Sequence, residues 1–540
     1  MVKENDQDEK LNHPDGRPKD SRPSTASDPS DASMLKETGA IEEGSSVAET
    51  STDEILNVDL KLGAGRRRGG DWRSGSEVAT RGNGRKRSAY ATRDLTTGSV
   101  SKNLWFLAWP QMIEGVLNMV DRVADLFWAG RFFGFEAIAG LAAAQLYTNL
   151  VMTGRMGLDM GMQAMIARAI GAGRVELANH VALQAFSITV LFSLLMVTVG
   201  VLFTDFLLRI LGVTPEVIGV VSVYMQIQFI GFGGQAFRMM TGSALQAAGD
   251  PLTPMKATSV SRIAHILLTP ILIFGWWGAP EMGLAGAALA NVAAQSLGVA
   301  WNSYALFNGP SRLHLTLRGY YIDIAILKRL IRIGAPASLT GMERSIVHLL
   351  LARIVTPFGS SALAAYGLTR NLEMFTALGS MGIGRASGTL VGQSLGAGNE
   401  ERAKKTILWA IAYTTVIRGA MGILLLAFPA LFVSIFNNQP EFVAIAVLWV
   451  RIQAIGGLVM GSGMVFQQSF NVAGDTVAPL IVTLIAMVGI ELPLAFALAN
   501  WTQLGQYGIP VAITVAMIAR TALYFPYFFK GRWLRVKVID

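Results

Sequence analysis

From Leu104 onward the chain alternates long apolar stretches with short polar breaks. Twenty or so apolar residues wound as a helix cross a hydrocarbon core of roughly 30 Å. About twelve such windows follow one another. They cover residues 104–131, 137–169, 177–202, 216–247, 253–277 and 283–307, then 327–356, 362–396, 402–428, 440–473, 477–500 and 508–529. The breaks carry turn chemistry, as in Gly275-Trp276-Trp277-Gly278-Ala279-Pro280, Asn308-Gly309-Pro310 and Thr356-Pro357-Phe358-Gly359. Residues 1–99 have the opposite pattern: they are polar and irregular, and bury too little apolar surface to offset chain entropy, so they read as a disordered tail. The start, Met1-Val2-Lys3-Glu4-Asn5-Asp6, lacks the apolar centre of a signal peptide.

The apolar region is duplicated. Ile170-Gly171-Ala172-Gly173 returns as Leu395-Gly396-Ala397-Gly398, and Ala247-Ala248-Gly249-Asp250 as Val472-Ala473-Gly474-Asp475, both at an offset of 225 positions. Pro254 and Pro479 keep that offset, while Pro110 and Pro336 stand 226 apart. A repeat in apolar sequence predicts an all-α polytopic membrane protein of two six-helix halves. Six spans per half make both halves enter from the same side, so the repeats are parallel. The expected organisation is a cytoplasmic tail (1–99), a first lobe (100–307), a cytoplasmic linker (308–326), a second lobe (327–529) and a basic cytoplasmic tail (530–540).

Charge orients this arrangement. Alternate loops carry Arg168 and Arg174, Lys256, then Arg312, Arg318, Lys328, Arg329 and Arg332, and later Arg402, Lys404 and Lys405. The positive-inside rule makes those loops and both termini cytoplasmic in a cell membrane. The basic clusters at 66–68 and 85–87 serve the same bias. The net charge of +8 is therefore a topological signal and no sign of nucleic acid. The absence of cysteine excludes disulfides and thiolate chemistry. No Gly-x-x-x-x-Gly-Lys-Ser/Thr stretch and no nucleophile–base pattern occurs, so neither ATP hydrolysis nor another enzyme activity is expected.

Ionisable residues inside membrane helices are costly and mark function or buried pairing. Asp121 and Asp125 share one face of the first helix at i, i+4 spacing. Such an acid can load and release a proton, hold sodium with neighbouring oxygens, or simply pair with Arg122 or another buried arginine. Arg262, His265 and Thr269 share a face of the fifth helix. Glu343 with Arg344 in the seventh helix and Glu491 in the eleventh are candidates for substrate contact or second-lobe coupling. Arg155 with Asp159, and Arg370 with Glu373, have the spacing of structural ion pairs, with Asp159 also a candidate for the cleft. Met160, Met162, Met374 and Phe375 suit either an adaptable cleft or ordinary packing.

Several of these segments resemble the MATE (multidrug and toxic compound extrusion) family. The residues that carry the likeness are Val123-Ala124-Asp125-Leu126-Phe127-Trp128-Ala129-Gly130, Ala247-Ala248-Gly249-Asp250 with Pro254-Met255, Gly283-Leu284-Ala285-Gly286-Ala287-Ala288, and Val391-Gly392-Gln393-Ser394-Leu395-Gly396-Ala397-Gly398-Asn399. The resemblance implies two V-shaped six-helix lobes that export amphipathic, often cationic small molecules in exchange for H+ or Na+. It implies no resident cofactor or metal beyond a sodium ion possible at Asp125, and a monomer in the lipid bilayer. It places the family's first-helix acid at Asp125. The family's further ion-site positions fall on Thr269, His265 and Asn291, where this chain departs from the usual residues. A seventh-helix acid falls near Glu343. Losing the second carboxylate leaves the ion open between H+ and Na+, with His265 tipping the balance to H+. A related lineage of lipid-linked oligosaccharide flippases is the alternative, and a scaffold acting through the 1–99 tail is a third reading.

Overall fold

The computed structural model describes residues 93–539 apart from 133, 211–214 and 310. The basic clusters at 66–68 and 85–87, and the tail up to residue 92, lie outside the described residues. Among the described residues there are twelve long helices and no strand. The first six are α1 (Val100–Phe132), α2 (Gly134–Gly171), α3 (Val175–Ile210), α4 (Pro215–Ala247), α5 (Leu252–Phe274) and α6 (Gly283–Phe307). The second six are α7 (Ile324–Val355), α8 (Ser360–Gly396), α9 (Glu400–Ala427), α10 (Pro440–Ala473), α11 (Val477–Asn500) and α12 (Gly508–Lys530). A short helix, Pro429–Ser434, joins α9 to α10.

The duplicated Gly motifs are helix stops. Gly173 and Gly398 have φ of 72° and 74°, and Gly249 and Gly474 have φ of 95° and 98°, a region that only glycine enters without penalty. Each stop is sealed by the same 6→1 bond: Arg174 N–H to Ala169 O and Asn399 N–H to Ser394 O at 2.8 Å, Asp250 N–H to Leu245 O and Asp475 N–H to Phe470 O at 2.9 Å. Asp250 and Asp475 then cap the next helix, accepting from Thr253 N–H at 3.1 Å and Ala478 N–H at 3.2 Å. The repeat in sequence is thus a repeat of terminal hydrogen bonding.

The halves meet as two related copies would: α1 packs on α8, and its repeat-mate α7 packs on α2. The closest approaches lie towards the ends of these helices nearest the inter-lobe segment. There, a Cβ on Gly161 would stand 2.6 Å from Leu330 O, and one on Gly334 would stand 2.8 Å from Gly157 O. Gly382 backs onto Met112 and Gly396 onto Arg168 in the same way. Repeat-mates also reach across: Arg168 donates to Ala473 O at 2.7 Å and Gln393 to Ala247 O at 2.9 Å. Small residues bring the backbones together, which drives helix association where lipid removes the hydrophobic incentive. Ahead of α1, Arg402 ties the entering chain to the same end, donating to Leu95 O, Thr97 O and Gly98 O at 2.8–3.2 Å.

Seven of the helices are apolar and long enough to cross a membrane by a strict hydropathy criterion. The other five are α1, α2, α4, α7 and α8: the four that meet at the seam, and α4, which lines the main cavity. Part of their polarity is buried, as at Asp121, Arg155, Asp159 and Arg238. Conversely, Leu202 on α3 and Val416 on α9 remain 70% and 72% exposed, as lipid-facing residues do. Replacing Gly161 with valine is expected to wedge α2 off α7 and lower stability by about 1–3 kcal/mol, read by thermal unfolding of purified protein. A loss below about 0.5 kcal/mol, the ordinary surface range, would contradict the seam.

Candidate functional site

Two polar stripes line α1 and α5. Glu114, Asn118, Asp121 and Asp125 follow one another at steps of four, three and four, and Thr258, Arg262, His265 and Thr269 repeat that rhythm. The helices run side by side, and the stripes meet in register. Thr258 donates to Glu114 Oε1 at 3.1 Å, Arg262 Nε to Asn118 Oδ1 at 3.0 Å, and His265 Nδ1 lies 2.7 Å from Asp121 Oδ1, each pair 144 positions apart in the chain. A constant offset means that α1 and α5 run parallel.

Asp121 is 5% exposed, and both its oxygens are engaged: Oδ2 by Arg262 Nη1 at 2.5 Å and Oδ1 by His265. Such charge-assisted bonds are what make a buried carboxylate tolerable. Asp125, one turn on, is different. Its Oδ1 lies 3.6 Å from His265 Nε2, and its side chain is 34% exposed towards the cavity. His265 therefore stands between the two acids, one on each ring nitrogen. Thr269 spends its hydroxyl on the His265 carbonyl at 2.7 Å, and Asn291 accepts from Gln295 at 3.3 Å.

Glu114, Asn118, Asp121 and Asp125 of α1, with Thr258 and Arg262 of α5, form one wall of a polar cavity of about 350 Å³. Tyr224, Gln228 and Arg238 on α4, Asn291 and Gln295 on α6, and Arg385 on α8 complete it. Arg238 links the far wall to the stripes, donating to Gln295 Oε1 at 2.5 Å and Thr258 Oγ1 at 3.2 Å. Gln246 donates to Glu114 Oε2 at 3.0 Å. Asp159 also borders the cavity, ion-paired to Arg155 at 2.9 Å.

The structure therefore brings Asp121, Asp125 and His265 together, sets Asn291 on the same cavity, and leaves Thr269 bonded to its own helix and not among the residues that line it. It leaves Glu343 and Glu491 in the second lobe, where Glu491 borders a separate small cavity and neither oxygen of Glu343 has a hydrogen-bond partner. Arg370 pairs with Glu373 at 3.0 Å. Asp121 is ion-paired, with Arg262 and not Arg122. Arg122, exposed, has the Met374 sulfur at 3.8 Å. Sequence reading missed Glu114, Asn118, Thr258, Arg238 and Gln295. The four-three-four rhythm of α1 was the available signal for the first two.

The three groups Asp121, Asp125 and His265 have ligand atoms within 4.8 Å of one another, which invites a cation. The donor set fits one poorly at Asp121, because Arg262 already holds that carboxylate and adds a positive charge. At Asp125, Oδ1 and His265 Nε2 face each other at 3.6 Å, a spacing that one shared proton can bridge.

The sequence model described as MatE matches residues 110–271 and 336–497. The chain is 26% identical over 440 residues to the probable multidrug resistance protein YoeA of Bacillus subtilis, covering 81% of this chain and 95% of that protein. It is 27% identical over 443 residues to the probable multidrug resistance protein NorM of Thermotoga maritima, covering 82% and 94%. Its fold is similar to the outward-facing structure of a multidrug resistance MATE family transporter, with a TM-score of 0.77 and 22% identity, covering 84% of this chain and all of that one.

Replacing Arg262 with methionine should leave Asp121 Oδ2 buried without its cationic partner, with only His265 still on Oδ1, destabilising the protein by about 3–5 kcal/mol. Adding Asp121→Leu should restore most of that loss. If chemical unfolding shows the two changes to be simply additive, the clasp does not couple the helices.

Proposed function

The chain belongs to the MatE family, and on that premise we propose that it is a secondary multidrug exporter of the cell membrane, exchanging an inward-moving proton for an amphipathic, cationic organic compound. The observation that carries this reading is the unequal treatment of the two acids. Asp121 is held on both oxygens by Arg262 and His265, whereas Asp125 has, among the described residues, a single ion-pair contact, His265 Nε2 at 3.6 Å, and opens to the cavity. Two carboxylates, one guanidinium and a neutral imidazole sum to one negative charge. A single proton, shared between His265 and Asp125, cancels it in a setting where net charge is expensive. Proton loading and release therefore switches this cluster between neutral and anionic.

The global arrangement fits alternating access. With the inter-lobe segment on the cytoplasmic side, the glycine seam closes the cytoplasmic end and the cavity faces outward. A proton entering there neutralises the α1–α5 cluster and lets α1 repack, after which the seam parts and the other end closes. The similar YoeA and NorM, each named a probable multidrug resistance protein, support small-molecule export by this chain. The flippase alternative is less well supported: the large cavity sets Glu114, Asp121, Asp125 and Asp159 against Arg122, Arg238, Arg262 and Arg385, a balanced wall and not the cationic one that a pyrophosphate needs.

In proteoliposomes, an outside-acid pH step should drive export of a lipophilic cation, and a sodium step alone should not. Asp125→Asn should lower pH-driven transport by about 10²-fold or more, the range lost when a positioned proton carrier is removed. Undiminished transport by Asp125→Asn would remove it from the coupling role; transport driven by sodium alone would reassign the ion.

A further inference from the structure

The second lobe contains a cluster that the coupling reading does not use. A cavity of about 30 Å³ lies between α7, α8, α10, α11 and α12, bordered by Arg344, His348, Arg370, Glu373, Glu491 and Arg520. Arg370 and Glu373 satisfy each other at 3.0 Å. Arg520 is only 5% exposed, yet its Nε and Nη2 have no hydrogen-bond partner. Arg344 donates from Nη2 to Gln467 at 3.2 Å, but its Nε is also unpartnered, as are both ring nitrogens of His348. Glu491 closes the π-helical stretch Leu484–Glu491 of α11 and forms no ion pair with any of the three arginines. Pro493, two residues on, has no N–H to return to the ladder, which helps account for the widened turn. Such π-helical turns frequently mark functional positions.

Buried guanidinium nitrogens without partners are rare because each forfeits its hydration. The charge around the cavity says what is missing. Three guanidiniums face two carboxylates, a surplus of one positive charge. Including the adjacent Glu343 and Arg418 leaves the surplus unchanged. One monoanion would cancel it and accept from the idle donors. The volume selects among anions: a space this small holds one or two water-sized groups, which suits a halide or a carboxylate head and excludes a pyrophosphate. We infer that this pocket binds a monoanion of chloride or carboxylate size, gripped by Arg520 and Arg344 with His348 as a neutral donor. The occupant is either a free inorganic anion or the carboxylate of a zwitterionic transported compound.

Purified full-length protein tests this without reference to transport. Its unfolding midpoint is measured against chloride, acetate and the bulkier methanesulfonate at constant ionic strength and pH. Chloride and acetate should stabilise saturably and methanesulfonate should not. Arg520→Gln should abolish the saturable shift and Arg520→Lys should retain part of it. Equal stabilisation of wild type and Arg520→Gln, or no difference among the three anions, would overturn the site. Should Arg520→Gln fail to fold, wild-type crystals grown in bromide decide the matter: an anomalous peak beside Arg344 and Arg520 supports the site, and its absence refutes it. The source is then separated by transporting an amphipathic zwitterion and its methyl ester, an arm that alone rests on the exporter reading. A substrate carboxylate predicts that Arg520→Gln lowers acid transport by about tenfold, the effect of one charge-assisted bond, and spares the ester. An inorganic occupant predicts that acid and ester change together.

Discussion

Asp121 is a carboxylate almost fully buried in a helix that lies within a lipid-embedded bundle, and its charge has to be met on the spot. Arg262 and His265 meet it from α5, one on each oxygen. That clasp sets the rotation and register of two parallel helices at once. With α1 and α5 so locked, Glu114 falls beside Thr258, Asn118 beside Arg262, and Asp125 beside the second nitrogen of His265. A slip by one residue would turn each stripe by about 100° and leave four buried polar groups without partners. The polar interior of the first lobe follows from this one interaction, including the half-buried Asp125 that borders the cavity.

The lobes share a scaffold and differ in what they do with it. Helix stops, caps and the seam obey the repeat down to individual hydrogen bonds, because they are made by backbone and small residues that both copies keep. Side-chain chemistry does not obey it. The position matching Asp125 is Leu351, which is fully buried among apolar neighbours. Where the first lobe has a plain α-helical α5 with its acid-matching stripe, the second has α11 with a π-helical stretch ending at Glu491. Glycines such as Gly157, Gly161 and Gly334 keep the lobes in close contact at one end and leave the polar cavity intact beyond it.

Much of this was legible in the chain itself. Hydropathy is a local quantity, so twelve spans could be read off directly, α11 and α12 to within a residue. The Gly-Ala-Gly and Ala-Gly-Asp motifs were visible as a repeat, and they fall at helix stops because left-handed backbone favours glycine. The i, i+4 acids on α1 and the Arg262–His265 face on α5 were visible as stripes. What neither stripe disclosed was its partner: Arg122, adjacent to Asp121 in sequence, points elsewhere, and Arg262, 141 positions away, takes the acid.

Spans, repeat and caps were determined by the sequence alone, because each depends on residues within one or two turns of one another. Only the tertiary structure decided which acid is neutralised and which stays open, and which arginines of the second lobe are left idle. Those outcomes turn on separations of about an ångström between helices distant in sequence. In an interior of low polarity, such separations decide whether a charge is paired or free.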